Sequence, residues 1–301
     1  MMVDKIGLSS SLPNLVRVDI EGCHRCKHLP LFEQLHSLQF LRLWNMDSVE
    51  YISDSSSGSG GEESLSYSLP FSSSSSSGGA ATIRSEPTPR QTFFPSLKEL
   101  HLSQLPNLKG WWRSEATATA TLLDQQQQQQ QHLKKLPSFP SLAKLTIGYC
   151  PNLASMPILQ PCLEELRLRW GVSKELVEQL LTMTVSSTRT ISTTTTETVA
   201  SSSSSSSVLP LSNLKSLFLG EIEDLVTLPV ECIGNLTSLE RLSIEDCPNL
   251  TSLPDGMRQL TALQQLTIRL CPNILYDRCH KETGEDWPNI AHIPNVYISL
   301  W

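Results

Sequence analysis

Between residues 214 and 274 the chain repeats one spacing of apolar residues three times, and this repetition limits the fold more than any other feature. The first leucines of the three copies are Leu214, Leu239 and Leu263, at intervals of 25 and 24 residues. In each copy the first leucine opens the form Leu-x-x-Leu-x-Leu/Ile, and further apolar residues follow about three positions apart. The sequence therefore contains a structural unit of about 24 residues that recurs without interruption.

The alternation within each unit predicts a short strand with one buried face, because successive side chains of a strand point to opposite sides. A single unit cannot cover its own leucines, but stacked units bury them against one another. Each buried Leu or Ile contributes roughly 1.5–3 kcal/mol. The period and form are typical of leucine-rich repeats. They predict an α/β repeat, a leucine-rich-repeat solenoid, with a curved parallel β-sheet on the concave face and an irregular or short helical convex side.

Five earlier copies precede these three, but their spacing is uneven. Their first residues are Leu15, Leu38, Leu97, Leu142 and Leu163. Three of the intervals along the chain are far longer than one repeat, and each long interval holds one tract rich in Ser and Gly, in Gln, or in Ser and Thr. Tracts of this composition cannot pack a core, and inserting them into loops costs little closure entropy.

We therefore predict one solenoid over residues 1–301, interrupted by disordered loops at 53–92, 114–134 and 183–207. A short helix is expected over 173–182. Residues 279–301 depart from the repeat and are expected to form a C-terminal cap with a last strand at Val296–Ile298.

Composition and charge exclude several classes of partner. The net charge is −7 and only 18% of residues are charged, which argues against a basic surface for nucleic acid. No run of 18 apolar residues occurs, so no membrane span is expected. Cys23, Cys150, Cys247 and Cys271 occupy one equivalent repeat position. Because the N-terminal segment Met-Met-Val-Asp-Lys-Ile-Gly-Leu lacks the apolar region of a secretory signal, reduced thiols are expected.

The outward positions of the predicted strands are the candidate contacts for a protein ligand. Phe40 and Trp44 attract most interest, since aromatic and Arg residues are enriched at binding hot spots. For any single residue, a merely solvated strand position is the competing interpretation. The candidates are Arg17, Asp19, Phe40, Arg42, Trp44, Glu99, His101, Lys144, Glu165, Arg167, Arg169, Phe218, Arg241, Glu245, Gln265 and Arg269.

No arrangement of residues predicts catalysis or a resident metal. The segment Cys23-His-Arg-Cys26 resembles half of a zinc site, but Cys23 belongs to the repeat and no second pair stands nearby. No His-Glu-x-x-His or nucleophile elbow is present. We therefore expect no enzymatic activity, no cofactor and no metal.

The repeat form Leu-x-x-Leu-x-Ile-x-x-Cys-Pro-Asn-Leu resembles the C-terminal repeats of plant intracellular nucleotide-binding leucine-rich-repeat disease resistance proteins. The tail Gly284-Glu-Asp-Trp-Pro-Asn-Ile-Ala-His-Ile-Pro-Asn295 is similar to the closing segment of their coiled-coil class. The resemblance implies a role in innate immunity. The repeats would recognise a pathogen effector or modified host protein, or contact a nucleotide-binding domain in cis or in trans. It also implies a cytoplasmic location, with the nucleus or the inner face of the plasma membrane as alternatives.

One departure from that family is clear. The chain has no Gly-x-x-x-x-Gly-Lys-Ser/Thr segment for nucleotide phosphates, so the family's nucleotide chemistry does not carry over. Whether the chain is complete or part of a longer receptor stays open. The main alternative function is a generic intracellular repeat scaffold, such as the substrate-binding arm of a ubiquitin ligase, which would need an adaptor-binding module that residues 1–14 cannot supply. An extracellular receptor and an enzyme are further alternatives, disfavoured by the lack of a signal peptide and of a catalytic domain.

Overall fold

The computed structural model describes residues 11–32, 35–53, 93–112, 139–156, 159–186, 211–229 and 233–299. Within these ranges the backbone forms eleven strands, a 3₁₀ helix and three α-helices. The strands are β1 (Arg17–Glu21), β2 (Phe40–Trp44), β3 (Tyr51–Ser53), β4 (Glu99–Ser103), β5 (Gly110–Trp112), β6 (Lys144–Gly148), β7 (Glu165–Arg169), β8 (Ser216–Gly220), β9 (Arg241–Glu245), β10 (Gln265–Arg269) and β11 (Asn295–Ser299). The helices are α1 (Lys174–Ser186), the 3₁₀ helix (Asp255–Gln259), α2 (Asn273–Arg278) and α3 (Trp287–Ile290).

Nine of the strands form one parallel sheet in chain order, from β1 through β2, β4, β6, β7, β8, β9 and β10 to β11. The two remaining strands, β3 and β5, pair in parallel in a small second sheet. In the large sheet Leu217 stands opposite Leu166 on one side and Leu242 on the other, and Leu242 stands opposite Leu266. The predicted solenoid and its stacked leucines are thus confirmed.

The inward residues of the internal strands are fully buried and form one continuous core. Leu41, Leu145 and Leu219, for example, have no exposed surface. At the two ends, Val18 of β1 and Val296 of β11 are only partly buried against this core, since among the described strands each has a neighbour on one side only. This gradient is the behaviour expected when each repeat is covered only by its neighbours.

A residue with a left-handed backbone conformation directly follows each strand of the large sheet except the last, β11. These residues are Gly22, Asn45, Gln104, Tyr149, Trp170, Glu221, Asp246 and Leu270, with φ between 45° and 70°. Each donates its backbone N–H to the carbonyl of the last residue in the next strand. Gly22, for instance, donates to Trp44 over 3.0 Å and Asp246 to Arg269 over 2.9 Å. The left-handed turn thereby extends the ladder one residue beyond each strand.

Two side-chain positions in the turn also recur from repeat to repeat. The thiols of Cys150, Cys247 and Cys271 each donate to the carbonyl two residues earlier, over 3.4–3.6 Å. Three residues after the left-handed position, a polar side chain donates to a carbonyl of the preceding repeat. The donors are Ser48 to His24, Asn107 to Asp47, Asn152 to Pro106 and Asn249 to Glu223. This position is the polar-turn position.

The C-terminal segment is a further rung of the same stack. The predicted strand at Val296–Ile298 is confirmed as part of β11, in register with β10. Ile290 and Ile293 are buried, at the spacing from β11 that Leu260 and Leu263 have from β10. The carboxylate of Asp286 is almost fully buried; it accepts the N–H of Leu253 at 2.9 Å and pairs with Arg278 at 2.7 Å. Asp286 of the tail motif therefore connects the C-terminal segment to the preceding repeats.

Three expectations differ from the structure or lie outside it. Cys23 and Cys26 form a disulfide with Cα atoms 5.6 Å apart, so the expectation of reduced thiols is wrong for this pair. The predicted helix at 173–182 is found, but it ends at Ser186, inside the tract predicted as a loop. Residues 54–92, 114–134 and 187–207 of the predicted insertions lie outside the described residues.

Candidate functional site

The outward side chains of the nine-stranded sheet form three columns across the strands, and we call this surface the strand face. The first column consists of Arg17, Phe40, Glu99, Lys144, Glu165, Ser216, Arg241, Gln265 and Asn295. The second consists of Asp19, Arg42, His101, Thr146, Arg167, Phe218, Ser243, Thr267 and Tyr297. The third consists of Glu21, Trp44, Ser103, Gly148, Arg169, Gly220, Glu245, Arg269 and Ser299.

All sixteen residues predicted as ligand contacts lie on the strand face, seven in the first column, five in the second and four in the third. None of them is buried. The in-register pairing brings residues from distant parts of the sequence side by side, such as Glu99 beside Lys144 and Arg167 beside Phe218. Whether these residues bind a ligand stays a prediction; their common placement follows from the register.

Phe40 and Trp44, expected to be exposed, are half-buried beneath arginines. The Arg17 guanidinium carbon lies 3.5 Å from the centre of the Phe40 ring, and that of Arg42 lies 5.0 Å from the Trp44 ring. The centre of the His101 ring, on the neighbouring strand β4, lies 5.3 Å from that of Phe40. Cations are attracted to the electron-rich faces of aromatic rings, so the arginines cover the aromatic surface and hold it in place.

Ion pairs neutralise much of the charge on this part of the strand face. The Asp19 carboxylate lies 3.4 Å from Arg17 and 3.5 Å from Arg42. Glu99 pairs with Lys144 at 3.3 Å, and the Arg167–Glu165 pair is 2.6 Å apart. Exposed pairs of this kind contribute only about 0–1 kcal/mol each to stability. Their main effect is to orient long side chains within and between the columns.

His101 is the one strand-face residue whose titration is clearly shifted. Burial lowers the pKa of His101 below its ordinary value, and the hydrogen bond and charge of Glu99 oppose that change. The Arg42 guanidinium adds to the lowering. The imidazole is therefore neutral at neutral pH, and it presents a ring to Phe40 instead of a charge.

Further along the third column, two glycines make room for a second aromatic–arginine cluster. A Cβ atom on Gly220 would lie 2.6 Å from the Phe218 ring, so Gly220 leaves room for that ring. The Arg169 guanidinium carbon lies 4.8 Å from the centre of the Phe218 ring and 5.3 Å from that of Trp170. The aliphatic part of Arg169 lies beside Gly148.

Three exposed aromatic residues on the strand face and its turn edge were not among the sequence candidates. Tyr297 is 57% exposed and ends the second column; its strand was predicted but its outward position was not considered. Tyr149 and Trp170 are left-handed turn residues at the edge of the strand face. The repeat alignment could have found them, because each directly follows the last strand residue of its repeat.

No feature of the described residues points to a metal site or a membrane span. Among those residues, no cluster of three or more His, Cys, Asp or Glu side chains could hold a metal ion. None of the helices within the described ranges could cross a bilayer, as the longest, α1, has 13 residues. The site that the described structure offers is the strand face and its turn edge.

Comparison with known proteins agrees with this architecture. The model of the family "Plant disease resistance protein RPS2-like, leucine-rich repeats" matches residues 117–272, which is more than half of the chain. The chain is also 29% identical over 339 aligned positions to a Solanum bulbocastanum protein named disease resistance protein RGA4. That alignment covers 96% of this chain but 26% of the Solanum protein, so the chain spans about a quarter of its relative's length. Its repeats, register and family match together show that the chain belongs to the RPS2-like leucine-rich-repeat family of plant disease resistance proteins.

Proposed function

We propose that the strand face binds a protein partner during immune recognition in the plant cytoplasm. The partner is a pathogen effector or a modified host protein, or the nucleotide-binding domain of a resistance protein in the same or another chain. The region acts by binding and carries no catalytic role. The name of the Solanum relative and the family match support the immune context, and the geometry of the strand face supports the binding role.

The observation that carries the proposal is the set of three columns in one register across nine strands. At about 4.8 Å between strands and about 3.3 Å per residue, this surface measures about 38 by 16 Å, or roughly 600 Å². A stable protein–protein interface buries about 800 Å² on each partner. A ligand that covers the strand face and part of its edge would therefore reach the size of a specific interface.

The region around Phe40 is the best candidate for the energetic centre of that interface. Aromatic and Arg residues supply most binding energy at known interfaces. Here Phe40 and Trp44 are already held by Arg17, Arg42 and His101. Because these side chains are positioned before the partner arrives, binding would lose little rotamer entropy.

The experiment measures binding of the full 301-residue chain to the nucleotide-binding domain of a coiled-coil-class resistance protein, with the Phe40→Ala plus Trp44→Ala double variant beside the unmodified chain. We expect binding, and a loss of affinity of about tenfold or more in the double variant. Circular dichroism should show that the variant keeps its fold, because both side chains are only half-buried.

Tyr276→Ala provides the matched control, since Tyr276 is 37% exposed but lies on α2, away from the strand face. It should bind like the unmodified chain. Affinity that is unchanged in the folded double variant, or lost equally in Tyr276→Ala, would show that the strand face is not the binding surface for this partner.

A further inference from the structure

A cleft of about 480 Å³ lies at the edge of the strand face, where the turns leave the sheet. Its lining residues are Gln104, Tyr149, Trp170, Gly171, Glu221, Glu223, Asp246 and Pro248. Five of these eight are the left-handed turn residues of successive repeats. The cleft is therefore a direct product of the repeat geometry, which sets one turn side chain beside the next. Its volume falls within the range of about 300–1,000 Å³ that is usual for ligand sites.

Two aromatic side chains form one part of this cleft. Tyr149 is 50% exposed and Trp170 is 39% exposed, although both are large enough to gain from burial. Gly171, with φ of +65°, follows Trp170, and a Cβ atom there would lie 3.9 Å from the Tyr149 ring. The left-handed backbone of Gly171 allows the chain to change direction directly beside the Tyr149 ring. The result is an open aromatic surface with room in front of it.

Three carboxylates form the other part, and the cleft has no basic lining residue. The side chains of Glu221, Glu223 and Asp246 form no ion pair with any residue that the structure describes. Burial raises the pKa of Glu221, and the charges of Asp246 and Glu245 raise it further. Arg169 opposes this change in the pKa of Glu221, but its guanidinium lies over the Trp170 and Phe218 rings. Arg169 thus acts on Glu221 without forming an ion pair with it, and the three carboxylates leave the lining of the cleft with a net negative charge.

We propose that this cleft binds the guanidinium group of an arginine side chain on a protein partner. A guanidinium is planar and always charged; it stacks on aromatic faces and donates paired hydrogen bonds to carboxylates. Tyr149 and Trp170 offer the faces, and Glu221, Glu223 and Asp246 offer the acceptors. The site lies beside the third column, so one partner can occupy the strand face and insert an arginine at its edge. The inference goes beyond the strand-face function and does not require the Phe40 region to bind.

Binding of a cation at this site depends on pH in a defined direction. The groups that act on Glu221 are Asp246, Glu245 and Arg169. Because the pKa of Glu221 is raised, this carboxyl gains a proton earlier than an ordinary glutamate as the pH falls. The cation prefers the ionised form, so the affinity should decrease as the pH falls through the titration of Glu221 and recover above it.

The experiment titrates the full chain with N-acetyl-arginine methylamide and follows the NMR signals of the Trp170 indole and of the amides of Tyr149, Glu221 and Asp246. The neutral isostere N-acetyl-citrulline methylamide is the control ligand. We expect saturable shifts confined to these groups, with affinity about tenfold weaker for the citrulline compound. Glu221→Gln combined with Asp246→Asn should weaken arginine binding to the level of citrulline, and Trp170→Ala should weaken both ligands.

The matched control is Glu282→Gln, which neutralises an exposed carboxylate that does not line the cleft; its arginine affinity should be unchanged. Equal affinity for arginine and citrulline, or arginine binding that survives in the folded Glu221→Gln plus Asp246→Asn variant, would overturn the proposal. Tighter binding of N-acetyl-lysine methylamide than of the arginine compound would overturn the assignment to a guanidinium. None of these results depends on the Phe40 and Trp44 variants that test the strand face.

Discussion

At the scale of single residues, the left-handed turn position is the most regular feature of the molecule. It occurs after eight strands, yet only Gly22 among the eight is a glycine. A left-handed backbone costs an L-residue roughly 1–2 kcal/mol. The hydrogen bond to the next repeat and the packing of the neighbouring rungs offset that cost. Glycine is unnecessary here because the stack itself imposes the conformation.

We predict opposite effects on stability for substitutions at two of these equivalent positions. Gly22→Ala should destabilise the chain by about 1 kcal/mol, although a Cβ atom there would meet nothing within 4 Å. Leu270→Gly should stabilise it by a similar amount, because Leu270 has φ of 53° and a side chain that is 51% exposed. Urea denaturation of both variants measures the two changes. If both variants lose stability equally, side-chain contacts and not backbone strain decide these positions.

Individual residues differ in how far their placement follows from the sequence. The alternation of leucines was enough to place Leu217 and Leu242 inward and Phe218 and Ser243 outward. The left-handed conformation of Tyr149 and Trp170 had no local signal, since neither residue type favours it. The edge cleft built on them was therefore missed, although the strand face was predicted.

At the scale of elements, the residue type at the polar-turn position depends on which structure the preceding repeat places beside it. Where the preceding repeat places a turn carbonyl there, the residue is a donor such as Asn. Asn152 donates to the carbonyl of Pro106 and Asn249 to that of Glu223. The repeat of β7 leads into α1, and in the next repeat, that of β8, the polar-turn position is occupied by Asp224 instead of Asn. Its carboxylate accepts the N–H of Lys174 at 2.9 and 3.0 Å, while Ser173 accepts the N–H of Leu176 as an N-cap. A helix start presents donors, so an acceptor replaces the amide.

We predict that Asp224→Asn and Asn249→Asp are each destabilising, although they exchange the same two residue types. Asp224→Asn removes a negative charge from the start of α1 and should cost about 0.5–1 kcal/mol. Asn249→Asp replaces a donor with a carboxylate that faces the carbonyl of Glu223 and should cost about 1 kcal/mol. Thermal and urea unfolding measure both values. A neutral result for either variant would mean that the neighbouring element does not select the residue at this position.

At the scale of the whole molecule, the repeat pattern predicted one curved sheet, and the described residues form such a sheet of nine strands beside a small sheet of two. The tail was predicted to depart from the repeat after Cys279, yet Ile290, Ile293 and β11 follow the regular spacing. The sequence departs from the repeat pattern only in the segment before these residues. In that segment the buried side chains of Asp286 and Asn289 bond to the preceding repeats. The spacing of leucines cannot predict buried polar residues that connect one repeat to the next.

The three long segments between repeats bear directly on whether the stack is continuous. Phe93 and Phe94, which follow the first of them, pack with Phe139, which follows the second, at ring distances of 5.4 and 5.9 Å. Phe139 also packs with Trp111, which precedes the second segment, at 5.5 Å. Phe94 and Phe139 each stand three residues before the first leucine of a repeat, so the chain re-enters the core at a regular position. That the segments themselves are disordered insertions, and that 279–301 acts as a cap, stay predictions.

Native-state hydrogen exchange tests most directly whether all repeats form one stack across these segments. The amides of Asn45, Gln104 and Trp170 donate to the next rung across a long segment, whereas those of Glu221 and Asp246 donate between consecutive repeats. We predict protection of the first three within about tenfold of the last two. Exchange of Asn45, Gln104 or Trp170 at the rate of an unprotected peptide, while Glu221 and Asp246 stay protected, would contradict the single stack and the strand face built on it.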